Sequence, residues 1–301
     1  MNETRTARVQ HLLDRITRKW WLVLLFILLQ FLPPVTAKPF EPDQYNQVIR
    51  QILSHGVIYA HSEVYPVLKV LAVVMLIALL VLRNRFGRFF ALYAAGCYVF
   101  FAFGQSFAHT RDYGFGVLLS NLVMFLLVAA VWTWEAIARR NDFSFAPQPW
   151  YRYWHVPLAV LAFWYPLSFR TGGPDFGFEA FLGGPAAVAF CLMTPVFLSL
   201  LLLNVPRVNA AVIRITALAG TIIGFWNAIG VFDPHTNRWN LLLHVPLMVI
   251  SVYALVVSLR LRVNQKDEAE AVCGVQSTQA GCRASWPAGE GPGRRSSFRG
   301  R

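Results

Sequence analysis

Charge is scarce in this chain, and acid scarcest of all. Only 14% of the residues are charged, and Asp and Glu together number 15. With 56% of the residues hydrophobic, a water-soluble domain would be left with too little polar surface, so lipid is the solvent the composition calls for. Cysteine is sparse too. Cys97 and Cys191 sit inside apolar runs, where a thiol behaves as a small hydrophobe, and Cys273 and Cys282 lie near the C-terminus. No C-x-x-C occurs, which excludes a dithiol redox motif and a zinc ribbon. Phosphate-cradling loops, a nucleophile elbow and dinucleotide-binding glycines are missing as well. No run alternates with period two, so an outer-membrane barrel is excluded. The net charge of +12 invites a nucleic-acid partner. However, Lys and Arg fall in short clusters between apolar runs, with no basic face interleaved with aromatics, and that partner is set aside. In a membrane protein such clusters signal topology.

What is present is a series of long apolar runs. Seven lie at approximately 64–82, 89–109, 115–136, 153–169, 182–203, 211–232 and 239–260, each near the ~20 residues a spanning helix needs. The fifth begins "GGPAAVAFC", rich in small residues that let neighbouring helices approach. The expected fold is all-α: a polytopic helical membrane protein with seven core spans in residues 64–262. Ahead of them, residues 1–37 hold a basic start and the run "WWLVLLFILLQFLPP". That run is short for a span and suits a signal peptide cleaved after Ala37, or an uncleaved signal-anchor helix. Residues 38–63 are too polar to span. Tyr45, Ile49, Ile52 and Leu53 recur there at helical spacing, predicting an extracytoplasmic amphipathic helix over 42–55, with Gly56 as its stop. From residue 263 the composition turns to Gly, Ser, Ala and Arg, which predicts a disordered cytoplasmic tail.

The loops orient the bundle. With a cytoplasmic N-terminus, the inner segments carry the basic start, then Arg83, Arg85 and Arg88, then Arg139, Arg140 and Arg152, then Arg207 and Arg214, then Arg260, Arg262 and Lys266. The outer segments carry only Lys38, Arg50, Arg111, Arg170 and Arg238. The positive-inside rule holds at every loop, placing the protein in the plasma (cytoplasmic) membrane with its C-terminus in the cytoplasm.

Two outer loops nearly repeat. "HTRDYGFGVLL" begins at His109 and "FRTGGPDFGFEAFL" at Phe169, and they align on Asp112 and Asp175. The hairpins 89–136 and 153–203 are thus candidates for parallel repeats, as in some transporters. Against this, Asp and Gly make turns, and the flanking aromatics suit an interfacial belt.

Polar side chains inside or beside the runs mark the candidate site, because polar groups in lipid are costly and often functional. Gln105 and His109, four apart, are expected on one face at the outer end of one helix, and Asn240 and His244 likewise on another. Asn227 lies slightly deeper, and Lys69 is expected to snorkel outward, toward Glu63. His61, Arg111, Asp112, Arg170, Asp175, Asp233, His235 and Arg238 complete an outward-facing vestibule. The cytoplasmic face offers no comparable assembly.

Three functions compete for this arrangement. The first is a transporter-like or solute-binding protein, with the arginines recognising a polar or anionic solute and the histidines tuning it with pH. The second is a membrane-embedded metal-dependent enzyme using His109, His235 and His244, without H-x-x-x-H or H-E-x-x-H to support it; zinc at those three, or a haem bridging His109 and His244, would be its cofactor. The third is a non-catalytic subunit whose 42–55 helix meets a membrane-protein partner or a second copy. Transport also requires polar residues through to the inside, and runs such as "AVVMLIALLVL" supply none.

Overall fold

The computed structural model describes residues 3–168, 171–229, 239 and 242–261, and it is mostly helical. Among the described residues, four helices are long and apolar enough to cross a membrane: Ser62–Arg85, Gly87–Ser106, Leu119–Ala138 and Ala210–Ile229. At ~1.5 Å per residue, a 20-residue helix reaches about 30 Å, the thickness of the hydrocarbon layer. A fifth candidate is a bent pair, Phe178–Val188 with Phe190–Leu202, turned by 86° at the break.

In chain order, α1 is Glu3–Thr17, α2 Trp20–Leu29, α3 Tyr45–Ser54, α4 Tyr65–Leu82, α5 Gly87–Ser106 and α6 Leu119–Ala138. Then come α7 His155–Trp164, α8 Phe178–Gly183, α9 Phe190–Leu202, α10 Ala210–Ile229 and α11 Val245–Arg260. The centre belongs to α9, which buries every residue but Cys191, as a helix apolar all round must. Around it, Phe90, Tyr98, Phe101, Phe125, Trp132, Phe190 and Phe197 are all buried in one cluster. Phe125 stacks on Phe190 with ring centres 4.3 Å apart, and Phe90, Tyr98 and Trp132 all meet Phe197. The few polar atoms in this layer satisfy one another: Tyr98 shares a hydrogen bond with Thr194 at 3.1 Å, and Trp132 donates to Thr216 at 3.1 Å. By contrast α4 stands at the edge, with Val67, Val70, Val74, Ile77 and Val81 exposed.

The amphipathic segment folds as expected, with a 3-10 turn at Pro42–Gln44 leading into α3. Its partner is a surprise. Strands β1 (Val35–Thr36), β2 (Phe107–Thr110) and β3 (Gly114–Val117) form an antiparallel sheet in the order β1-β3-β2. Val48 and Ile52 of α3 pack on it with Ala108, Tyr113 and Leu118. Gly116 makes room, since a Cβ there would lie 3.0 Å from Ile52.

This sheet corrects two expectations. Helix α5 stops at Ser106, so His109 does not share a helical face with Gln105; it pairs with Phe115 on β2. The turn chemistry overrides helical continuation: Thr110 Oγ1 donates to the Gly114 carbonyl at 3.1 Å, and Gly114 adopts φ +68°, open to glycine at little cost. The two near-repeated phrases also part ways. The first is this hairpin. In the second, Asp175 Oδ1 accepts from the Gly177 N–H at 2.8 Å in a local turn ahead of α8, and Pro174 makes only an isolated bridge with Leu167. The described part of the second phrase thus forms a local turn and a short helix where the first forms a hairpin.

Candidate functional site

The described members of the predicted outer set have separate surroundings. Asp112 is exposed and accepts from Gln51 Nε2 at 2.6 Å, which ties the hairpin to α3. The Arg111 carbonyl accepts from Lys38 Nζ at 3.0 Å. His109 is exposed, and His61 pairs with Glu63 at 3.2 Å. His244 precedes α11 and offers its carbonyl to the Leu247 N–H. Arg170, Asp233, His235, Arg238 and Asn240 lie outside the described residues, as does the tail after 263. Among the described residues, no three His, Cys, Asp or Glu gather as metal ligands.

Of the predicted residues, Lys69 and Gln105 are buried and Asn227 is half-buried. Gln105 is a junction. Its Nε2 donates to Tyr59 Oη at 2.7 Å, and its Oε1 accepts the Phe190 N–H at 3.0 Å, one of the donors a helix start leaves without an intrahelical partner. Burial pushes the Tyr59 phenol far above its ordinary value, and the nearby Cys191, Tyr65 and Tyr165 add to this, while the Gln105 bond opposes it. Asn227 Nδ2 donates to Cys191 Sγ at 3.3 Å. Beside Tyr59, the side chains of Ile58, Tyr65, Leu68 and Val188 pack together.

Lys69 does not snorkel toward Glu63. It is wholly buried, donates to the Phe163 carbonyl at 2.6 Å, and lies 4.7 Å and 4.8 Å from the ring centres of Phe163 and Phe181. The Phe163 carbonyl is in the last turn of α7, where carbonyls lack helical partners and the dipole favours a cation. This geometry explains why the ammonium turns in. It supplies no opposite full charge, and among the described residues no carboxylate pairs with Lys69.

The largest departure is at the opposite, basic end of the bundle, where no assembly was expected. Gln10, Asp14, Glu135, Asn209 and Arg214 are all buried there. Asn209 Nδ2 donates to Glu135 Oε2 at 2.7 Å, and Gln10 Nε2 donates to Asn209 Oδ1 at 2.9 Å. Trp134 donates to Gln10 Oε1 at 2.8 Å. Arg214 faces Asp14 at 3.6 Å and donates to Thr17 Oγ1 at 3.2 Å and to the Ser258 carbonyl at 3.1 Å. The sequence did hold a signal: Glu135 and Arg214 are full charges inside apolar runs. Beside this network Asp142 pairs with Arg207 at 3.2 Å and accepts from Asn84 Nδ2 at 2.7 Å. That Asn84 bond, with Ser144 and Arg207 helping against partial burial, holds the Asp142 carboxyl below its usual range.

The bundle thus buries polar groups toward both ends, with an aromatic layer between them. No family model, curated protein or solved structure matches the chain.

Proposed function

We propose that the chain is a multi-pass membrane protein that binds a polar, negatively charged solute in the half of the bundle holding Lys69, and does not conduct it across. The observation carrying this reading is the Lys69 ammonium, buried with one carbonyl and two aromatic faces and with no carboxylate paired to it among the described residues. A buried charge without a counter-charge is costly, and a bound anion would supply the missing partner. On this reading Gln105, Tyr59 and Asn227 supply the amide and phenol groups that orient it. Binding is favoured over passage because the aromatic layer around Phe197 offers a solute no polar route.

Seven spans follow in this reading if α7 with the segment after it, the bent α8–α9 unit, and α11 join the four long helices. The basic clusters then set the inner face, with both termini inside. Residues 1–37 are best read as a retained anchor, because Gln10 and Asp14 belong to the buried network and Leu22 and Phe26 to the core.

The test is thermal unfolding of the detergent-purified full-length protein in sodium acetate, succinate and sulfate, against chloride. At least one anion is expected to raise Tm in the wild type and to lose that effect in Lys69→Met. No shift with any of them, or an equal shift in Lys69→Met, would sink the reading.

A further inference from the structure

At the basic end of the bundle, the α4–α5 junction, the end of α6 and the extended chain after it border a half-open pocket of about 490 Å³. Four arginines line it, Arg85, Arg88, Arg139 and Arg140, against two acids, Glu135 and Asp142. Glu135 lies close enough to Arg140 to feel its charge, and among the described residues neither acid pairs with Arg85, Arg88 or Arg139. Glu135 is buried and accepts from Asn209 Nδ2 and from the Asn141 N–H, both at 2.7 Å, while Asp142 is held by Asn84 and by Arg207. Arg85, Arg88 and Arg139 are exposed and pair with no carboxylate among the described residues. Helix α6 ends at Ala138, and Arg139 follows in the left-handed region, φ 52°, with its N–H on the Glu135 carbonyl at 2.8 Å. Such closure fixes where the chain carrying Arg139, Arg140 and Asn141 leaves the helix.

A second observation is independent of the charge. Asn141 also lines this pocket, and its Nδ2 is buried with no acceptor, although its Oδ1 accepts the Asn209 N–H at 2.6 Å. Buried donors normally have partners, and this spare amide donor belongs to a residue of the pocket wall. Guanidinium groups are donors only, with a planar fork that fits the oxygens of a phosphate two at a time. A volume in the range of small-ligand sites, at the end of spanning helices where headgroups lie, suits the same ligand.

We infer that this pocket binds a phosphate-bearing anion, the chemistry shared by a phospholipid headgroup and a soluble phosphate ester. The site is separate from the Lys69 constellation and does not depend on it.

Native mass spectrometry and titration of the full-length protein in neutral detergent test it, with phosphatidylglycerol doped into the micelles in one arm and glycerol 3-phosphate in solution in the other. The wild type is expected to bind one equivalent of at least one probe. The Arg88→Gln/Arg139→Gln variant is expected to bind it at least tenfold more weakly, and Arg152→Gln, an exposed arginine outside the pocket, to bind as the wild type does. Binding of the lipid alone identifies the headgroup as the source, binding of the ester alone identifies a soluble ligand, and binding of both shows that the phosphate suffices. Asn141→Asp keeps the acceptor for Asn209, removes the orphan donor and adds a negative charge. The same tenfold loss is expected there, so the test holds even if the arginine pair is needed for folding. Failure of the wild type to bind either probe at millimolar concentration, or undiminished binding in either pocket variant, overturns the inference.

Discussion

A single ionisable side chain within an apolar run is the clearest mark this sequence carries, and Lys69, Glu135 and Arg214 each prove to sit in a constructed environment. Their partners were not legible, because they come from distant parts of the chain: Gln10 meets Asn209 across 199 positions and Arg214 meets Thr17 across 197. Periodicity reports which face of a helix is apolar, not which helix it meets. The network makes the residue-scale expectations asymmetric. Asn209→Ala removes the donor to Glu135 and an acceptor for Gln10, and leaving buried polar groups unpartnered costs about 1–3 kcal/mol each. A clear drop in Tm is therefore expected. Arg214→Met leaves Asp14 buried beside Gln10 alone, and breaking such a pair costs about 3–5 kcal/mol. Its Tm is expected to fall further, with part of the loss recovered in the Asp14→Leu/Arg214→Met double variant; no recovery would deny the coupling. Asp142 gives the pH prediction. Its folded-state value lies below the unfolded one, so its contribution is present above the unfolded value and is lost as pH falls through the lowered one. Asp142→Asn should flatten the acid side of a Tm-against-pH curve and leave the neutral side's slope unchanged.

At the scale of elements, the four long spans were legible from run length alone, since ~20 apolar residues satisfy the bilayer. The amphipathic α3 was legible from its spacing. The sheet was not, because its strands are two to four residues long, too short for alternation to register, and two of its positions are glycine. The α10–α11 contact was passed over too, although "GTIIG" carries the small-x-x-x-small spacing by which membrane helices approach closely. A Cβ on Gly224 would lie 2.9 Å from Met248 Cα, and one on Gly220 would lie 2.2 Å from Ser251 Oγ. Met248 Cα is backbone and cannot swing aside. Gly224→Leu should therefore wedge the helices apart, at a cost of about 1–3 kcal/mol or more, read as a lowered Tm. Gly96 is the internal control, since nothing lies within 4 Å of a Cβ built there. Gly96→Ala should hold or raise Tm, because alanine favours a helix by up to ~1 kcal/mol over glycine. Equal effects at the two sites would mean that close approach does not govern this interface.

For the whole molecule, the question is whether residues 1–37 stay with the bundle, and here local pattern and tertiary contact pull apart. The short apolar run, the paired prolines and the small residues before Ala37 read as a cleavable signal. Yet α1 and α2 both pack against α10. Loss of this segment would remove Gln10 and Asp14 from the network, Leu22 and Phe26 from the core, and β1 from the sheet. Arg214 would then lose both Asp14 and Thr17 and keep the Ser258 carbonyl, a state several kcal/mol less stable than the paired one. An apolar pattern is judged by the translocation machinery locally, whereas these contacts form only once α10 is in place, so the sequence window could not weigh them. The intact mass of the purified protein is expected to include residues 1–37, and a tag placed ahead of Met1 is expected to stay attached and be reachable only from the cytoplasmic side. A mature chain beginning at Lys38 would remove the retained-anchor reading. It would also require another acid to take the place of Asp14, which Asp14→Ala in the unprocessed chain would reveal by leaving Tm unchanged.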